Sequence, residues 1–220
     1  MNRSRRIRGW GDSALARRGI TLIEVLVTVA VLGIAGMLII PAMGQVDVLR
    51  AQASVRTLVA DITFAQADAA ATQERRAILF GAVAVEQPDG TIEIEEGHGY
   101  TLFAPAFGAS QVSLAFDAMP DPSTPGRPIT RDFNSEILQG GTLTGVAFDC
   151  EAQQGYQALL FDEFGGPVRD LTSDTPSEGG SLAVMGRVAD YRIDVLPITG
   201  RVVVTRTPRA DEPDPEDPDD

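Results

Sequence analysis

The sequence predicts an α+β fold: a long N-terminal helix, transmembrane in its first part and amphipathic in its second, followed by an antiparallel β-sheet domain. Three observations predict it. Residues Ile20–Met43 form a run of 24 residues that carries one charge, Glu24. Beyond Gln45, apolar residues recur at Val48, Val55, Leu58, Val59, Ile62, Ala65 and Ala69, the three-and-four spacing of one helix face. From Ile78 onward the pattern changes to short β-rich segments broken by Gly and Pro, and a series of strands after one helix argues for antiparallel sheet.

Charge divides the chain in the same places. Residues 1–19 hold six arginines and one acid, and without them 12 basic and 30 acidic residues remain, a net charge of −18. A body this acidic repels phosphate backbones, whose affinity for proteins comes mainly from Lys and Arg, so no nucleic-acid partner is expected. At 1.5 Å per residue the apolar run spans about 36 Å as a helix, enough for a bilayer core. Arginines before it and acids after it place the N-terminus in the cytoplasm and the rest in the periplasm, a single-pass inner-membrane arrangement. A conventional signal peptide has an apolar core of only about 7–15 residues, and Pro41-Ala-Met-Gly44 makes a poor exit signal.

The helix is expected from about Thr21 to about Thr72, bent at Pro41, because proline removes a helical hydrogen bond. Arg75 and Arg76 then sit where cations favour a helix C-terminus. Strands are expected at Ala77–Val85, Thr91–Glu95, Tyr100–Phe103, Val112–Phe116, Thr144–Phe148, Ala158–Phe161, Leu182–Val184, Tyr191–Val195 and Arg201–Thr205. Gly97-His-Gly99 reads as a turn, and Glu163–Pro167 and Pro197–Gly200 as hairpin turns. Residues 117–135 read as a long loop. Residues 208–220 hold seven acids and four prolines and cannot build a core. The resulting organisation is a basic leader at 1–19, a transmembrane helix at 20–43, an amphipathic helix at 44–75, a β-rich domain at 76–207 and an acidic tail at 208–220.

Little in the chain points to chemistry. One cysteine, Cys150, and one histidine, His98, leave no zinc ligand set and no His-dependent triad. No P-loop, G-x-S-x-G or H-E-x-x-H is present. Asp149, Asp162 and Glu163 read as solvated loop acids rather than a calcium site, because no EF-hand spacing accompanies them. No catalytic residue, metal or cofactor is expected, and the chain does not read as an enzyme.

The distinctive string is Arg17-Arg-Gly-Ile-Thr-Leu-Ile-Glu24-Val-Leu26. A carboxylate near the start of a membrane span is costly and needs a partner. Cleavage after Gly19 would create an α-amino group on Ile20, four residues before Glu24, and Glu24 would neutralise that amine on a neighbouring subunit.

Gly19-Ile-Thr-Leu-Ile-Glu-Val-Leu26 resembles the class III signal of type IV pilins and type II secretion pseudopilins. The resemblance implies that a prepilin peptidase, a membrane aspartyl protease, cuts between Gly19 and Ile20 and methylates Ile20. It implies that Glu24 serves filament assembly and that Pro41 is the family's helix-kinking proline. Ile20 stands where the family usually has Phe. Arg56–Ala69 and Tyr191–Val202 are similar to the helix signature and final hairpin of the GspH/FimT minor pseudopilins, and residues 85–190 match nothing in that pattern. The implied function is a structural minor pseudopilin of a type II secretion system, in or at the tip of a periplasmic pseudopilus that exports proteins. Its partners would be the peptidase, the inner membrane and other pseudopilins or pilins met through the N-terminal helix. The alternative is a FimT-like minor pilin that captures DNA for a type IV pilus.

Overall fold

The computed structural model describes residues 21–135, 141–187 and 189–208, and within them the side chains of residues 35–47 and Pro208 lie outside the description. Gly19 and Ile20, the leader and the tail beyond Pro208 therefore fall outside it. Helix α1 runs Leu22–Thr72. Thr21 starts it: its hydroxyl and carbonyl oxygens both accept the Glu24 N–H, at 3.3 and 3.0 Å, as an N-cap threonine does. At the other end Gln73 adopts a left-handed φ of 58° and the Glu74 N–H reaches back to Ala69 O at 3.3 Å. That six-to-one bond is the Schellman ending, here with Gln in the place usually held by Gly.

Contacts divide the chain into two compact units, Met1–Ala42 and Met43–Asp220. In the first, the apolar side chains of Leu22, Ile23, Leu26, Val29, Leu32 and Ile34 are exposed. In the second, Ala51, Val55, Leu58, Ile62, Ala65 and Ala69 form one buried stripe.

Among the described residues nine strands make two antiparallel sheets. They are β1 (Arg76–Glu86), β2 (Ile92–Phe103), β3 (Thr130–Asp132), β4 (Gly141–Phe148), β5 (Gln157–Phe161), β6 (Pro167–Val168), β7 (Gly180–Gly186), β8 (Ala189–Val195) and β9 (Val202–Pro208). The first sheet has the order β3-β2-β1-β5-β6 and the second β4-β7-β8-β9. Ile78, Phe80, Tyr100, Leu102, Leu159 and Phe161 from the first sheet and Leu182, Val184, Ile193 and Val195 from the second join the α1 stripe in one core. The alternate residues Ala77, Leu79, Phe103, Ala158 and Leu160 pack on the reverse face against Val112 and Leu171. Both faces of the first sheet are thus buried, which is why β1 and β5 read as continuous apolar runs rather than alternating ones.

Several expectations are corrected. Among the described residues no helix is long and apolar enough to cross a membrane. The transmembrane span and the single-pass inner-membrane placement, with its cytoplasmic N-terminus and periplasmic domain, are therefore not upheld. The expected fold class falls with them: the body is mostly antiparallel strand arranged as two sheets, not one sheet domain behind a transmembrane helix. Pro41, the expected kink, lies within the bounds of α1, with its side chain outside the description.

Val112–Phe116 is not a strand. The Asp117 carboxylate accepts the Ser113 N–H at 2.7 Å and the Asp117 N–H returns to Ser113 O at 3.0 Å, a local closure that competes with sheet pairing. Gly97-His98-Gly99 is not a turn but the middle of β2. A Cβ on Gly99 would lie 1.8 Å from Arg131 O, so glycine here admits β3 rather than bending the chain. Of Arg75 and Arg76, Arg76 stays at the end of α1, where it donates to Thr72 Oγ1 at 2.7 Å, and Arg75 turns away from it. Arg75 donates to Asp170 O and Ser173 O, and Arg76 pairs with Asp68 and Glu74.

Candidate functional site

Of the residues expected to serve processing, assembly or the helix kink (Gly19, Ile20, Glu24 and Pro41), Glu24 is the one whose side chain is described. It occupies the third position of α1, in the S/T-x-x-E spacing of a capping box opened by Thr21. A carboxylate in the first helical turn also meets the positive end of the helix dipole. Glu24 therefore has a local role that any helix would support. The helix around it is less ordinary. Leu22 is 83% exposed and Leu26 62%, and Val25, Val27 and Val31 are exposed as well. Apolar side chains surround this helical segment on all sides, more than a single-faced surface helix carries.

The second feature is a polar cluster that the sequence did not reveal. Asp61 lies on the buried stripe of α1, between Leu58 and Ala65. Its carboxylate accepts the Tyr100 hydroxyl at 2.8 Å and Arg131 Nε at 2.9 Å. Arg131 Nη1 lies 3.6 Å from Asp121. Tyr100 is fully buried, and burial, reinforced by Asp61, pushes its hydroxyl well above the usual range, so it stays a donor. Burial works against the Arg131 charge, but Asp61, Tyr100 and Asp121 together hold its pKa above the ordinary value. The Ser123 backbone N–H, opposed by burial and aided by Arg131, holds Asp121 below the usual carboxylate range. An acid placed on an apolar stripe needs a buried donor, and that was the available signal for this cluster.

The cluster borders a groove of about 610 Å³ whose lining includes Thr57, Ile92, Arg127, Thr130, Arg131 and Asp132. Arg127 spans from this loop to Glu86 on β1. Every charge in the cluster is held by an opposite charge or a fixed donor, an arrangement that pins the 117–135 segment to α1 and to β2 rather than one that moves a proton.

The acids read as solvated loop residues have partners within the fold. Asp149 accepts from Arg169 and from the Glu178 N–H. Asp162 accepts the Phe164 and Gly166 N–H groups, and Glu163 pairs with Arg75. Among the described residues no group of three or more His, Cys, Asp or Glu side chains is placed to hold a metal. Cys150 is half-buried, its thiol directed at Val168 O at 3.2 Å, and burial raises its pKa. One further contact ties the two sheets to the helix: Gln66 Nε2 donates to Gly165 O at 2.8 Å and Thr199 O at 2.7 Å, bridging the β5–β6 and β8–β9 turns.

Comparison of the chain with protein-family models, with curated proteins and with solved structures gives no match.

Proposed function

We propose that this chain is a structural subunit of a pilin-like filament, in the class of the minor pseudopilins of type II secretion, and that it joins its neighbours through Leu22–Ile34. The observation that carries this reading is the exposed apolar segment, which begins at a capped helix start and bears a single charge at Glu24. Such a surface is stable in water only when covered, and packing against like helices covers it on every side. The string Gly19–Leu26 adds the processing step: removal of residues 1–19 takes away the six arginines and leaves Ile20 next to the helix start. The body supplies a fixed head, with α1 pinned by its apolar stripe and by the Asp61 cluster.

Processing tests the reading. Co-production with a prepilin peptidase shortens the chain by residues 1–19, and Gly19→Val blocks the cut. An intact mass that keeps the original N-terminus in the presence of an active peptidase overturns the assignment.

A further inference from the structure

Phe107, Phe116 and Phe164 all stand in solvent, Phe107 at 102% exposure. A single exposed apolar side chain needs no explanation, but one beside a concave site rimmed by polar groups marks a contact surface. Phe107 borders such a site. It takes the second position of a turn closed by the Ala109 N–H on Ala106 O at 3.0 Å, with Gly108 third at a φ of 75°. Glycine adopts that left-handed conformation without strain, so the turn is fixed and presents Phe107 outward. Beside it lies a cleft of about 380 Å³, between this turn, the end of α1 and the 171–174 segment. Ligand pockets span about 300–1,000 Å³. Pro105 and Leu171, both buried, and Ala109 give the cleft an apolar wall.

The rest of the lining is acidic. Glu74, Glu163 and Asp174 stand there with one cation, Arg75, and three negative charges against one positive leave −2. The Arg75 side chain is only 18% exposed and is used up inside the fold: it donates to Asp170 O and Ser173 O and pairs with Glu163 and Asp174. The acids keep capacity. The hydrogen bonds of Glu74 go through Oε2 and that of Asp174 through Oδ1, while Glu163 meets Arg75 at 3.5 Å. A carboxylate accepts at both oxygens, and the Asp174 side chain is 81% exposed. Arg75 thus holds two of the acids in place without covering them.

We infer that this cleft is a docking site for a different polypeptide, which inserts an arginine side chain between Phe107 and the acids. Each part of that side chain meets its complement. The methylene stem packs along Pro105, Ala109 and Leu171. The planar guanidinium stacks on the exposed Phe107 ring, and its forked N–H groups match the carboxylates. Lysine offers the charge without the plane or the fork. An acidic partner is repelled by the cleft, and the net −18 of residues 20–220 opposes a second copy of this chain. The site is independent of how Leu22–Ile34 is used.

The test titrates the full-length chain with a labelled peptide that carries one arginine between leucines, followed by fluorescence anisotropy. Companion peptides carry lysine or citrulline, the uncharged isostere, in place of the arginine. The arginine peptide binds, the citrulline peptide binds about tenfold more weakly or worse, and the lysine peptide falls between them. Phe107→Ala and Asp174→Asn each weaken the arginine peptide about threefold to tenfold. Both positions are exposed, and an unchanged circular dichroism spectrum shows the fold retained. Phe116→Ala and Glu93→Gln remove an exposed ring and an exposed acid outside the cleft and leave binding as it was. No binding of the arginine peptide, equal binding of the citrulline peptide, full binding by Phe107→Ala, or equal losses in the two outside variants overturns the proposal. So does self-association of the chain without peptide that Phe107→Ala abolishes.

Discussion

Helix α1 holds two regions of similar apolarity and opposite circumstance. At Leu58, Ile62 and Ala65 the apolar residues are fully buried, and their stripe is met by Ile78, Phe80 and Leu159 from the sheet. At Leu22, Leu26 and Leu32 they are exposed. The later region is apolar on one face and carries Arg56, Thr63 and Asp68 elsewhere, whereas the earlier one has Glu24 as its only charge. A one-sided stripe is satisfied by the sheets packed on that one side, and an all-round apolar surface requires several neighbours. On the proposed function, the difference separates residues that hold this chain folded from residues that would join it to others.

Mutation breaks or sharpens that contrast. The largest stability effect is expected in the packed region: Leu58→Ala leaves a cavity under both sheets and costs about 3 kcal/mol in denaturant unfolding. Leu26→Ala leaves the unfolding midpoint of the body unchanged and weakens association with other subunits. Equal stability losses from the two changes would erase the distinction. Arg131→Ala comes next, at about 2–3 kcal/mol, because it strips a partly buried carboxylate of its cation, below the cost for a fully buried pair since Arg131 keeps some solvent contact. Adding Asp61→Asn to that variant restores part of the loss, a coupling read from a double-mutant cycle.

Gln66→Ala removes two bonds to the turn carbonyls and costs about 1–2 kcal/mol. Hydrogen exchange should quicken first in the β5–β6 and β8–β9 turns. The smallest effect concerns acid. Hydrogen bonds from the Ser173 hydroxyl and the Thr172 N–H hold Asp170 well below the usual carboxylate range. Its stabilisation is complete above the unfolded value of about 3.9 and is lost as pH falls toward the lower folded value. Asp170→Asn therefore lowers stability slightly at pH 7, and its difference from the unaltered chain shrinks as pH falls below about 4, which flattens the acid limb of the stability curve measured by denaturant unfolding.

Local pattern made part of this legible. The buried positions Val55, Leu58, Ile62, Ala65 and Ala69 fall on the three-and-four spacing because a single sheet-facing stripe repeats within one turn. The Asp61 cluster was not legible, because Tyr100 and Arg131 lie far along the chain and pairing over that distance leaves no periodic trace. Asp61 on an apolar stripe announced a partner without naming it. Gly99 misled for a related reason: glycine marks a turn and a close strand approach alike, and the approach depends on β3, which is too short to announce itself. The joining of Thr91–Glu95 and Tyr100–Phe103 into one strand was hidden by the same glycines. The helical run after Gly19 read as a membrane span from its length in sequence, whereas among the described residues no helix is long and apolar enough to cross a membrane.

The most direct measurement places a photocrosslinking amino acid at Leu26 of the full-length chain, produced together with a prepilin peptidase and a set of pilin-like subunits, with Leu58 labelled in parallel. Leu26 is expected to give intermolecular adducts with the helical segments of those subunits or of a second copy, identified by mass spectrometry, and Leu58 only intramolecular products. Intermolecular adducts from Leu58, or none from Leu26, would contradict the division of α1 into a folding region and a joining region.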